Sequence, residues 1–207
     1  MFQVFTKNLL FSTILFISYS LISEEYKAGK HYQILPQTIA TRDAKKIEII
    51  EFFWFGCGHC YSLENQLKSW EEKLPSDIDF WRSPITWNEM AKTHAKLFFA
   101  AEFFEKPEII SNTFVSIHAN RRMMTSDQEL QPFFASFGIT EDQYLSLFNS
   151  FAMQNKIRRA DTFGLKYQIR GVPAFIVNGK YKVSASNDVG TAELLDVVDY
   201  LINLERD

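Results

Sequence analysis

The spacing of apolar residues changes period across one tetrapeptide, Cys57-Gly58-His59-Cys60, and that change limits the folds open to the chain. Before it, Ile47 to Phe55 reads Ile-Glu-Ile-Ile-Glu-Phe-Phe-Trp-Phe, a short run of branched and aromatic residues of the kind that fills a central strand. After it, Leu63, Leu67, Trp70 and Leu74 recur at helical spacing with Glu64, Lys68, Glu71 and Glu72 between them, which predicts an amphipathic helix. The two cysteines therefore stand where a strand hands over to a helix.

They are the only cysteines in 207 residues. A bridge between them closes so short a loop that it gains little chain entropy, which makes the pair a poor staple and a good redox couple. Covalent haem attachment needs a histidine directly after the second cysteine, where Tyr61 stands. Structural zinc needs four ligands, and His31, His94 and His118 have no paired spacing to complete a set, so no metal is expected. At a helix start, free N–H groups and the positive end of the dipole stabilise an anion, making Cys57 the natural thiolate. His59, protonated or donating a hydrogen bond, lowers its pKa further, while Gly58 leaves the sulfur open to another chain. Cys60, one turn inward, is expected to be shielded and to act as the resolving thiol.

Residues 1–23 carry Lys7 as their only charge and an apolar stretch from Leu9 to Ile22, too short for the roughly 20 residues a membrane-spanning helix needs. A secretory signal peptide over 1–23 is the expectation, with cleavage after Ser20 or Ser23. Without that segment 21 basic side chains face 25 acidic ones, a net charge of −4, which disfavours nucleic acid as a partner. The Arg121-Arg122 pair is too short to reverse this and is expected in a solvated loop.

Further along, Asp77 to Arg82 reads as a strand. Helical spacing then dominates: Met90 to Phe104, Ile109 to Ile117, and a capping box of Ser126 with Glu129 opening a segment that Gly138 closes. Pro132 inside that segment should kink it or move its start. A second box, Thr140 with Gln143, precedes Tyr144, Leu147, Phe148 and Phe151, and a further helix runs through Ile157, Ala160 and Phe163. Strand character returns at Val172 to Val177 and at Lys180 to Val183, joined by Asn178-Gly179, a strong hairpin signal. A last helix is expected from Ala192 to Leu204. The order predicts an α/β core interrupted by a helical insertion.

Two motifs in that order, Glu51-Phe52-Phe53 leading into Cys57-Gly58-His59-Cys60-Tyr61, and Arg170-Gly171-Val172-Pro173-Ala174-Phe175 leading into Val177-Asn178-Gly179-Lys180-Tyr181, resemble the DsbA family of periplasmic thiol:disulfide oxidoreductases. The resemblance implies a thioredoxin-like core, a central mixed sheet flanked by helices, built from residues 24–86 and 156–207 with 87–155 as the inserted helical domain. It also implies that Pro173 is cis and packs beside the cysteines, exposing the backbone of Val172 to an extended substrate. Glu51 matches the family's buried acid, which exchanges a proton with Cys60. Glu64 matches a recurrent acidic position, but a surface helix charge explains it equally well.

The implied activity is the introduction of disulfides into exported polypeptides through Cys57 and Cys60, with no cofactor beyond that disulfide. Reduced or unfolded exported chains are the implied substrates and a DsbB-type membrane protein the reoxidant, with the protein acting in the periplasm as a monomer. The family's best-known members have Pro-His between the cysteines; Gly-His here points to a weaker oxidant and leaves an isomerase or reductase as the alternative. The stretch from Glu24 to Ala44 is too short to supply an isomerase's dimerisation domain. A third possibility is a peptide-binding chaperone module with an inert disulfide.

Overall fold

The computed structural model describes residues 26–206, so the leader expected over 1–23 lies outside them. Strand β1 (Gln33–Ile34) is followed by β2 (Ile47–Phe53), helix α1 (Gly58–Glu71) and β3 (Ile78–Pro84). Five helices come next: α2 (Glu89–Phe103), α3 (Glu108–His118), α4 (Asp127–Ala135), α5 (Glu141–Asn149) and α6 (Phe151–Lys166). The chain closes with β4 (Ala174–Val177), β5 (Tyr181–Ser184), a 3-10 turn at Thr191–Glu193 and α7 (Leu194–Leu204).

The strands form one mixed sheet in the order β1-β5-β4-β2-β3. β2 is parallel to β3, joined through α1 as a parallel pair requires, and antiparallel to β4. Having neighbours on both edges and helices on both faces, β2 is buried from Glu48 to Phe53, which explains why all its residues but Glu48 and Glu51 are apolar. One face packs Ile49, Phe175 and Val183 against Leu63 and Leu67 of α1 and Leu195 and Val198 of α7. The other packs Ile50, Phe52 and Ile176 against Ala91 of α2 and Tyr167. A third cluster fills the helical insertion, with Phe114, Phe134, Tyr144 and Met153, and runs on without a break into Phe53, Phe55 and Cys60.

Both predicted cap pairs meet: Thr140 and Gln143 open α5 with a full reciprocal box, while at α4 the Glu129 carboxylate accepts from the Ser126 N–H and hydroxyl and the Ser126 side chain does not cap in return. That pairing holds the start of α4 at Asp127, and Pro132 is accommodated within the helix beside the buried Phe133 and Phe134. Ser150 ends α5 and caps α6, so Phe151, expected to continue the apolar face of α5, instead begins α6 and is exposed. α6 then runs unbroken across positions 155 and 156. The expected Ala192 start of the last helix is a 3-10 turn, with regular α-helix beginning at Leu194. Among the described residues no helix is long and apolar enough to cross a membrane.

The Asn178-Gly179 hairpin has φ of 49° and 63° at its two central residues, the left-handed pair that matches the twist of the flanking strands. Gly179 is needed twice over, because a Cβ there would stand 1.9 Å from the carbonyl oxygen of Ile39. Gly138, at φ 76°, has open space around it. Gly179→Ala should therefore cost about 3 kcal/mol of unfolding free energy and Gly138→Ala only about 1 kcal/mol, measured by urea denaturation; equal costs would contradict the close approach.

Candidate active site

The end of β2 delivers the chain into a tight turn. Phe55 and Gly56 are its central residues, and the Cys57 N–H closes it on the Trp54 carbonyl at 2.9 Å. A Cβ at Gly56 would lie 2.4 Å from the Trp54 ring folded over it, so a larger residue there would displace the indole. Cys57 is then the N-cap of α1, with extended backbone, and its Sγ accepts from the Cys60 N–H at 3.4 Å. Gly58 and His59 are exposed in the first turn, whereas Cys60 is wholly buried against the insertion's core. His59 Nδ1 lies 3.2 Å from the Thr191 hydroxyl on the 3-10 turn that precedes α7.

The second motif arrives from across the sheet. The ladder of β4 with β2 and β5 begins only at Ala174, so Val172 lies outside main-chain strand pairing. The Val172–Pro173 bond is cis, and the Val172 carbonyl oxygen is 3.4 Å from Cys57 Sγ, which donates its thiol proton to it. Residues 115 positions apart in the chain thus meet at one sulfur.

Beneath them lies Glu51. It shares the face of β2 covered by α1 and has no exposed surface. One carboxylate oxygen accepts from Arg82, its register partner on parallel β3, while Oε1 has no hydrogen-bond partner among the described residues. Arg82 also pairs with Glu64 of α1, and its guanidinium lies 4.3 Å over the Phe53 ring. One buried cation is therefore shared by two carboxylates.

This geometry separates the ionisations sharply. Hydrogen bonding from Cys60 leads the effects that bring the Cys57 thiol down to about 6; the backbone N–H groups of Cys60 and His59 and the His59 charge add to it, against a partial burial that opposes ionisation. Burial pushes the Cys60 thiol far up, as do its hydrogen bond to Cys57 and the charge of Glu51. Burial also raises Glu51 to about 7, because it outweighs the attraction of Arg82, and the Glu64 charge adds to the rise. The site can thus hold one sulfur as an anion, keep the other as a thiol, and store a proton on a carboxyl group beside it.

The family model of the DSBA-like thioredoxin domain matches residues 77–196. Two proteins named thiol:disulfide interchange protein DsbA are each 35% identical to this chain. The one from Pseudomonas aeruginosa aligns over 185 residues, 89% of this chain and 88% of that protein. The one from Azotobacter vinelandii aligns over 188 residues, 90% and 88%. The chain belongs to the DsbA-like thioredoxin family. The crystal structure of Pseudomonas aeruginosa DsbA matches it with a TM-score of 0.82 at 34% identity, over 89% of this chain and 96% of that one. This DsbA-like chain is accordingly a thiol:disulfide oxidoreductase, and its core is the thioredoxin-like one expected from the two motifs.

The DsbA-like site holds the residues singled out in the sequence: Cys57, His59 and Cys60 at the start of α1, the Val172 carbonyl against the Cys57 sulfur with Pro173 following it through the cis bond, and Glu51 buried on β2. Arg82 was missed as a site residue and Glu64 set aside. A basic residue ending a strand beside a strand that carries an acid is a signal, but only the register shows that they meet. Arg121 and Arg122 are exposed between α3 and α4 as expected. Of the three histidines weighed for zinc, His94 and His118 both lie against Phe55, and among the described residues no three His, Cys, Asp or Glu side chains cluster as metal ligands would.

Two pH dependences follow, of opposite sign. Between pH 6 and 9 the folded reduced chain holds fewer protons on Cys57 than the unfolded chain, whose thiol titrates at 9.0; stability of the reduced form should rise with pH across that window and lose the rise in Cys57→Ser. Glu51 is raised from 4.5 to about 7, so its contribution is full below pH 4.5 and lost as pH climbs to about 7. Urea unfolding of Glu51→Gln should show a flatter profile over that second window, and an unchanged slope would remove Glu51 from the account.

Proposed function

We propose that the protein introduces disulfide bonds into exported polypeptides in the periplasm, using the Cys57–Cys60 disulfide as its only redox group. The observation that carries this reading is the asymmetry of the two sulfurs: Cys57, partly accessible and with its thiol brought down to about 6, and Cys60, buried and pushed up. A stabilised Cys57 thiolate favours the reduced enzyme, and a couple whose reduced form is favoured is an oxidant toward its substrates.

In the forward direction a substrate thiolate attacks Cys57 Sγ, forming a mixed disulfide and expelling Cys60 as a thiolate. Glu51 gives Cys60 its proton, since a buried carboxyl group titrating near neutrality can both hold and release one. The substrate's second thiolate then attacks its own sulfur in the mixed disulfide and expels Cys57, which leaves as the anion that the helix start stabilises. Two electrons pass from substrate to enzyme, and a DsbB-type membrane protein takes them on in the return step. The backbone of Val172, outside the strand ladders and beside the cis peptide bond to Pro173, receives the substrate as an extended strand, and His59 stabilises the Cys57 anion from the exposed side. Periplasmic residence is consistent with the leader read over 1–23 and with the DsbA name of the relatives.

Equilibration with glutathione buffers, followed by trapping of the thiols, tests the direction. A reduction potential well above the roughly −270 mV of thioredoxin is expected, and one at or below that value would assign the chain to the reductase side, toward which Gly58 between the cysteines inclines it. Cys60→Ala should accumulate mixed disulfides with a disulfide-bonded peptide, whose bridge the Cys57 thiolate attacks and which no second enzyme thiol can then release, while Cys57→Ser forms none; exchange with the peptide by the double variant would instead indicate chemistry elsewhere in the chain.

A further inference from the structure

The first helical turn of the site is held on its outer side by a residue that the exchange chemistry does not use. The Phe55–Gly56 peptide is the central peptide of the turn from Trp54 to Cys57. Its flip is the motion that converts one common turn type into another, and a glycine at the third position tolerates both forms. The Phe55 carbonyl lies past the sheet, since the β2–β4 ladder ends at Phe52 and the β2–β3 ladder at Phe53, and Phe55 itself is 1% exposed. A carbonyl in such a place needs a partner from elsewhere. His118, the last residue of α3, supplies it, with Nε2 at 2.7 Å. Because a carbonyl only accepts, Nε2 carries the hydrogen.

The same imidazole lies flat against Tyr61, the residue after Cys60, with centroids 4.7 Å apart and planes 7° apart. Phe114, one turn earlier on the same face of α3, packs its ring 4.7 Å from that of Phe55 and 6.0 Å from that of Tyr61. Two consecutive turns of the insertion thus touch both flanks of the Cys57–Cys60 segment.

We propose that His118 is a positioning residue for the exchange reaction, fixing the Phe55–Gly56 peptide and the Tyr61 ring so that Cys57 stays in the N-cap geometry. It touches neither sulfur and acts through Phe55 and Tyr61. The proposal rests on Cys57 being the reactive thiol, as argued above. The insertion is then part of the redox centre's frame: its α3 end holds the turn in the one arrangement in which Cys57 Sγ meets the Cys60 N–H.

Two variants separate the hydrogen bond from the packing. His118→Phe keeps a flat ring against Tyr61 and removes the donor, while His118→Gln restores an N–H donor without the ring. In the reduced protein, His118→Phe should raise the midpoint of Cys57 thiolate formation and slow its alkylation at pH 6 by about threefold or more, with His118→Gln recovering most of the rate. Amide hydrogen exchange at Cys57 should accelerate in His118→Phe and not in His118→Gln. Wild-type titration, alkylation and exchange rates in His118→Phe, whatever its melting temperature, would overturn the proposal and leave His118 a packing residue. Failure of the parent protein itself to show a depressed Cys57 midpoint would count against the thiolate reading instead, and the amide exchange contrast would still decide the role of His118.

Discussion

Enclosure of β2 on both edges and both faces is the constraint from which the working parts descend. A strand with parallel β3 on one side and antiparallel β4 on the other has nowhere to send its C-terminal end except out over the sheet, and the turn at Phe55-Gly56 makes that exit. The helix that follows must fold back to cover Ile49, which sets its first turn, and hence Cys57, at the lip of the sheet. The β3 register brings Arg82 beside Glu51, and the β4 register brings Val172 to the sulfur. Glu51 is inside for the same reason its neighbours are. It lies on the alternating face of a strand with no solvent side.

Within that enclosure the chemistry comes from unequal solvation more than from any special group. The sulfurs are one helical turn apart, yet one sees solvent and backbone N–H groups while the other sees Phe53, Phe55 and the insertion's core. Two carboxylates share a single guanidinium, so the trio carries a surplus negative charge when both are ionised, and the deeper acid is the one that keeps its proton. A buried ion pair is weak support for stability, because desolvation offsets most of the attraction. Here its significance is that it places a titratable proton beside Cys60.

Features that depend on short stretches of chain were legible in the sequence. The period change at Cys57, the cap pairs at Ser126 and Thr140 and the Asn178-Gly179 hairpin each involve neighbouring residues whose physics is local, and each stands where the pattern put it. What escaped depends on register or on competition between tendencies. Glu64 reads as a surface charge because its helical position is mostly polar, and only the β3 partner draws it into the site. The two-residue strand β1 is too short to show alternation. Phe151 fits the apolar spacing of α5 but falls after Ser150, whose side chain caps the next helix and ends the previous face. The six site residues were readable for a mixed reason: cysteine placement follows from local pattern, while Glu51, Val172 and Pro173 came from the likeness of two motifs to a family.

The aromatic core of the insertion has no boundary where it meets the catalytic turn; Phe114 touches Phe55, and the same cluster carries on to Tyr144 and Met153. The insertion therefore has two unlike sides. Its outward side carries Phe151, almost three-quarters exposed, where a substitution meets solvent. Its inward side is continuous with the turn it supports, so a change of volume at Phe114 is felt at Phe55, and a graft of the insertion onto another sheet would have to match that seam.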